Sequence, residues 1–132
     1  MVARTPIRVL IVDDQPLQRA GYRMVLEATE GLEVVGEAGD GAQALAIVRR
    51  TPTDVVLMDI RMPRVNGFVA TERILGDDQV RELGPVPAVV LLTALDLDGY
   101  VATAARAGAY AILFKDAAPE ALIEAIRHAA RP

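Results

Sequence analysis

Two stretches decide the fold: Val9-Leu10-Ile11-Val12-Asp13-Asp14 and Val55-Val56-Leu57-Met58-Asp59. Each is a continuous apolar run without polar alternation, closed by carboxylates. Such runs mark parallel strands covered on both faces. Carboxylates at the C-terminal ends of two such strands meet at one edge of the sheet, where α/β folds place their sites. A single Asp after a strand is commonly a turn residue or a helix cap. Three in one crevice are another matter, because they repel and resist ionisation unless a cation sits among them. Oxygen-only, anionic ligation of this kind suits Mg²⁺ or Mn²⁺.

Two more polar residues close apolar runs. Thr93 follows Val89-Val90-Leu91-Leu92, and Lys115 follows Ala111-Ile112-Leu113-Phe114. Taken alone, Thr93 is a β-branched strand residue and Lys115 a solvated lysine. Together with the acids they supply a hydroxyl, a point cation and a metal-binding cluster, the parts of a phosphoryl site.

Strand and helix signals alternate along the whole chain. The runs predict strands near Ile7–Asp13, Leu32–Glu37, Asp54–Asp59, Ala88–Thr93 and Tyr110–Phe114. Helical spacing fills the gaps: Leu17, Ala20, Met24 and Val25 in the first helix, Ala42, Leu45 and Val48 in the second, and Leu122, Ile126 and Ala129 in the last. This alternation implies a doubly wound α/β fold with right-handed crossovers. Asp40 reads as the N-cap of the second helix. Gly31 and Gly108 read as the ends of the first and fourth helices. Pro119 suits the first position of the last helix, behind the poor cap Ala118. The connection Gly76 to Pro87 reads as a long turn-rich loop without chemistry.

The 132 residues fit one domain with an ordinary core. Apolar residues make up 52% and charged residues 24%, which is a globular composition rather than a disordered or membrane-bound one. The net charge of −4 disfavours direct nucleic-acid binding. With no cysteine there is no disulfide or thiolate chemistry, in agreement with a cytoplasmic location. The first apolar run is broken by Arg8 and ends in two acids, so it is no signal-peptide core. The longest apolar stretch, near Ala88 to Leu95, is far shorter than the roughly 18 residues a membrane helix requires.

Nearly the full length of the chain resembles the response-regulator receiver domains of two-component signalling. The resemblance rests on Val9-Leu10-Ile11-Val12-Asp13-Asp14, on Val56 to Pro63 with Asn66-Gly67, on Leu91-Leu92-Thr93-Ala94 and on Leu113-Phe114-Lys115-Asp116. Ala105 to Ala109 and Pro119 to Ile123 also match. The Lys115-Asp116 ending is similar to that of receivers in LuxR-type transcriptional regulators. The resemblance implies a single flavodoxin-like (βα)5 domain over residues 1–132, with a five-stranded parallel sheet in order 2-1-3-4-5. It implies Asp59 as phospho-acceptor, Thr93 and Lys115 as holders of the phosphoryl oxygens, and Asp13, Asp14, Asp59 and the Arg61 backbone carbonyl as metal ligands. The implied donor is a sensor histidine kinase. The implied domain is no turnover enzyme, but it catalyses its own phosphorylation and dephosphorylation and admits a homodimer on activation. A LuxR-type regulator would continue into a helix-turn-helix output domain, which these residues do not supply. Contact with DNA is therefore expected only through such a domain.

Two rivals share parts of this pattern. A haloacid-dehalogenase-type phosphohydrolase also uses Asp, Thr or Ser, Lys and Mg²⁺, but its nucleophile sits on the first strand in an Asp-x-Asp pattern. Here Asp13 and Asp14 are adjacent. A receiver fold used only for binding would not need all five site residues. His128, the only histidine, reads as a helix-end residue favourable against the helix dipole. Met24, Met58 and Met62 read as core or loop filler. The position three before the lysine, where the family carries a rotating aromatic, is Ile112. Tyr110 is the expected substitute, or else the switch is coupled only weakly to Thr93.

Overall fold

The computed structural model describes residues 5–94 and 97–130. Five strands form one parallel sheet: β1 (Ile7–Val12), β2 (Leu32–Ala38), β3 (Val55–Asp59), β4 (Ala88–Thr93) and β5 (Ala111–Phe114). Their order across the sheet is β2-β1-β3-β4-β5, as the resemblance implies. The helices are α1 (Pro16–Glu27), α2 (Gly41–Val48), α3 (Gly67–Leu75), α4 (Asp78–Leu83), α5 (Leu97–Ala107) and α6 (Pro119–Ala129). No helix among the described residues is long and apolar enough to cross a membrane.

Strand alternation sends successive side chains to opposite faces, so each apolar run feeds two cores. Leu10, Val12, Val56, Met58, Val89 and Leu91 pack with residues of α2, α3, α4 and α5. Val9, Ile11, Val55, Leu57, Val90 and Leu92 pack with Tyr22 and Leu26 of α1 and Leu122 and Ile126 of α6. This two-sided burial is why the central strands carry no polar alternation.

The caps follow the chemistry of their residues. Asp40 accepts a hydrogen bond from the Gln43 N–H and starts α2. Asn66 does the same for Val69 at the start of α3. Gly108 follows α5 with φ of 95°, the left-handed conformation glycine tolerates. Pro119 opens α6, and Ala118 before it makes no side-chain cap bond. Gly31 also has positive φ, but α1 ends earlier, at the cap Ala28, so Gly31 belongs to the turn into β2.

Two further expectations are corrected. The connection from Gly76 to Pro87 contains the short helix α4, started by Asp77, whose carboxylate accepts from the Val80 N–H, and anchored by buried Val80. The inner face of α1 is also different from the one read from hydrophobicity. Leu17 is 88% exposed, and Ala20 and Met24 also face outward, while Tyr22 and Leu26 are the buried pair. Two arginines hold the helix in this orientation together with the buried pair. Arg19 Nε donates to Glu37 Oε1 at 3.1 Å and Arg23 Nη1 to Glu37 Oε2 at 2.7 Å, which ties one flank of the helix to β2.

Candidate functional site

The parallel register brings the polar strand ends into one crevice. Asp59 pairs across the sheet with Leu92, and Thr93 pairs with Phe114, so β3, β4 and β5 end side by side. The Ile60 N–H continues the ladder to the Leu92 carbonyl at 3.0 Å, and the Lys115 N–H bonds to the Thr93 carbonyl at 2.8 Å. On the other side, Val12 pairs with Met58, which sets Asp13 beside Asp59.

Carboxylate oxygens of Asp13, Asp14 and Asp59 all lie within 4.8 Å of one another. Asp13 and Asp59 are buried, at 1% and 3% exposure, while Asp14 faces solvent. Lys115 Nζ lies 3.1 Å from both Asp13 Oδ2 and Asp59 Oδ2. One ammonium is thus shared between two buried carboxylates. Burial pushes the Asp59 carboxyl above its ordinary pKa and the Asp13 charge adds to this, against the opposing pull of Lys115. Burial alone would favour neutral Lys115, but the two carboxylates outweigh it and raise its pKa. The crevice holds more acid than base, and its hard, oxygen-only donors match a small divalent cation.

Local structure holds these groups in place. Asp13 Oδ1 accepts from the Gln15 N–H at 2.9 Å, and Arg19 Nη1 donates to the Asp13 carbonyl at 2.6 Å. Asp59 Oδ1 accepts from the Arg61 N–H at 3.2 Å, so the Arg61 backbone stays next to the cluster. Gly67 has a steric role. A Cβ there would stand 2.5 Å from the Asp59 carbonyl oxygen and 2.9 Å from Ile60 Cα. Only glycine lets α3 begin so close behind the acid, with its N–H bonded to the Ile60 carbonyl at 2.8 Å.

Of the residues singled out from the sequence, Asp13, Asp14, Asp59 and Lys115 bring their charged groups together at this edge, and Thr93, fully buried, ends β4 beside them. His128 does not; it is exposed in the last turn of α6. Met58 is buried, Met62 packs against the first core, and Met24 is exposed rather than filling a core. Sequence reading missed Tyr22. Its phenol is buried close enough to the crevice for Lys115, Asp13 and Asp59 to act on it electrostatically.

The expected aromatic substitute is also misplaced. Tyr110 precedes β5, is 53% exposed, and bonds through its N–H to the Val89 carbonyl, four residues before Thr93. At roughly 3.3 Å per residue, that is the far end of the sheet. Ile112 packs against the first core, as do Phe68 and Tyr100, whose rings meet edge to face at 5.4 Å.

The sequence profile of the response regulator receiver domain matches residues 9–127. The chain belongs to the response-regulator receiver family. It is 46% identical to a transcriptional regulatory protein of Bacillus subtilis, YxjL, over 95% of this chain and 55% of that protein. It is 40% identical to the nitrate/nitrite response regulator protein NarP of Escherichia coli, over 99% of this chain and 58% of NarP. The chain thus spans a little over half the length of these relatives. Among solved structures, the receiver domain of the response regulator NarL from Mycobacterium tuberculosis superposes with a TM-score of 0.85 at 33% identity, covering 97% of this chain and 98% of that one. The receiver fold and its order of strands agree with these relatives, and the haloacid-dehalogenase alternative finds no support among them.

Proposed function

We infer that Asp59 accepts a phosphoryl group and that this is the signalling event of the domain. The observation that carries the reading is the Lys115 ammonium 3.1 Å from both Asp13 and Asp59, with Asp14 in the same acid cluster. An ionised carboxylate is already a nucleophile, so no separate base is required. The reaction needs charge neutralisation and alignment instead. Asp13, Asp14, Asp59 and the Arg61 backbone carbonyl would hold Mg²⁺ or Mn²⁺, which when bound offsets the carboxylate charge and the developing charge on phosphoryl oxygens.

Asp59 attacks phosphorus as the bond to the donor breaks, and the leaving group keeps that electron pair. Lys115 turns from the carboxylates to one phosphoryl oxygen, and the Thr93 hydroxyl donates to another. Water later attacks the acyl phosphate, releasing inorganic phosphate and restoring the carboxylate. The donor is phosphohistidine on a sensor histidine kinase, and small acyl phosphates can replace it. Exposed Leu17 and Met24 on α1, which begins just after the acid pair, offer an apolar contact for such a protein. By analogy with relatives about twice its length, the domain controls transcription in the cytoplasm through an output domain that binds DNA.

Intact-mass measurement with acetyl phosphate and Mg²⁺ tests the reading. The wild type should gain one phosphoryl group and Asp59→Asn none. Equal labelling of the variant would overturn the assignment.

A further inference from the structure

Among the described residues, the one buried side-chain polar atom without a hydrogen-bond partner is the hydroxyl oxygen of Tyr22. The residue is only 9% exposed and belongs to the core between the sheet and helices α1 and α6, which also holds Ile11, Leu57 and Leu92. Those three residues lie one or two positions before Asp13, Asp59 and Thr93 on their strands. Helix geometry gives the direction of the ring. Side chains on a helix lean toward its N-terminus, and α1 starts at the acid pair, so the phenol points up toward the crevice. Burial raises its pKa to about 12, which keeps it neutral, and among charged groups Lys115 acts on it most strongly.

A buried hydroxyl without a partner is costly, and such exceptions concentrate where a group is needed in another state. In the resting site, Asp13 and Asp59 take two of the three protons of the Lys115 ammonium. When those carboxylates turn to a divalent cation, the ammonium loses its acceptors and is left buried beside that cation. The Tyr22 hydroxyl is a buried neutral acceptor with no bond to give up, in the core on the face of the sheet to which strand alternation also sends Asp13, Asp59 and Lys115.

We propose that Tyr22 is a positioning residue of the acceptor site: its hydroxyl accepts a hydrogen bond from Lys115 once Asp13 and Asp59 bind a divalent cation, holding the ammonium in place for the incoming phosphoryl oxygen. The inference rests on the cation-assisted reading of the site given above. It assigns the phenol no part in bond making or breaking.

The test is a double-mutant cycle on Mg²⁺ affinity, followed by backbone amide shifts of Asp13 and Asp59 during titration with Mg²⁺ alone. Tyr22→Phe removes one oxygen. Without Mg²⁺ its melting temperature should equal or exceed that of the wild type, because the resting hydroxyl has no partner to lose. Its Mg²⁺ affinity should fall about three- to tenfold, the net worth of one hydrogen bond. In a Lys115→Ala background the same substitution should change affinity less than twofold, since the donor is gone. Equal affinity of wild type and Tyr22→Phe, or an equal loss in both backgrounds, would overturn the role of Tyr22. If the wild type takes up neither Mg²⁺ nor phosphoryl, the reading of the site falls, and this inference with it. Normal wild-type labelling with an unaffected Tyr22→Phe removes the inference alone.

Discussion

An aspartate stands at each end of β3, and the two live under opposite conditions. At the N-terminal end, Asp54 accepts two hydrogen bonds from the Arg8 guanidinium, both at 3.1 Å, and a third from the Arg8 backbone N–H at 2.8 Å. Burial alone would raise its pKa, but these bonds outweigh it and the pKa is lowered. At the C-terminal end, Asp59 shares one ammonium with Asp13, and burial raises its pKa. Both ends join β1 to β3 through charge. One end is balanced and closes on itself; the other is left with excess acid, which only an added cation can satisfy. The contrast shows that a charge cluster becomes a site when its partners do not add up.

The largest effect expected from this contrast is at Asp14. Asp14→Ala should abolish Mg²⁺-dependent labelling by acetyl phosphate while circular dichroism stays native, because the residue is exposed and holds no structure together. Labelling as fast as the wild type would remove it from the cation site. Next, the same Asp-to-Asn change should have opposite signs at the two ends of β3. Asp59→Asn should stabilise the metal-free domain at neutral pH by about 1–2 kcal/mol, since it relieves a buried and poorly compensated charge. The sign follows from linkage. The folded pKa of Asp59 lies above the unfolded one, so the native state binds its proton more readily and the penalty appears as pH rises through the folded value. The advantage of the variant in denaturant melts should therefore shrink as pH falls through that value, and added Mg²⁺ should stabilise only the wild type.

Asp54→Asn should lose about 0.5–1 kcal/mol, the range of partly screened ion pairs, and leave Mg²⁺ affinity unchanged. Here the folded pKa is lowered, so this contribution is present above the unfolded value and vanishes as pH falls through the folded one. Matching signs for the two variants would break the comparison. The smallest effect concerns Tyr110, which lies at the balanced end of the sheet. Tyr110→Ala should leave the beryllofluoride-induced spectral change as in the wild type, and a reduced change would reinstate it as part of the switch.

The legible parts of the chain were those where one physical demand acts on each residue. Burial on both faces forces the central strands to be continuously apolar, so their polar ends announce themselves, and with them Asp13, Asp59 and Thr93. Lys115 closes the half-buried edge strand β5 and showed only as the polar end of a short apolar run. Helix α1 answers to two demands. Its apolar residues Leu17 and Met24 read as core, yet the helix buries Tyr22 and Leu26 instead, with Arg19 and Arg23 bonded to Glu37 on its flank. Tyr22 was missed because the pattern drawn through Leu17, Ala20, Met24 and Val25 follows a different face of the helix. Its i, i+4 partnership with Leu26, on the helix that opens at the acid pair, was the available signal. Helix α4 is six residues long between Gly76 and Gly84, too short for periodicity to show, although Asp77 was a readable cap. Tyr110 failed through register, since alternation gives the face of a residue but not how far along the sheet it stands.

Lys115 reaches Asp13 across 102 positions of sequence. A chain emerging from its N-terminus delivers all three acids with the third strand and the neutralising lysine only with the fifth. Until β5 docks beside β4, the half-built crevice carries repulsion with nothing to offset it. Neutralisation of the acids thus waits for the last strand, with only α6 still to follow, and a cation bound early can stand in for the ammonium while β5 is still being made.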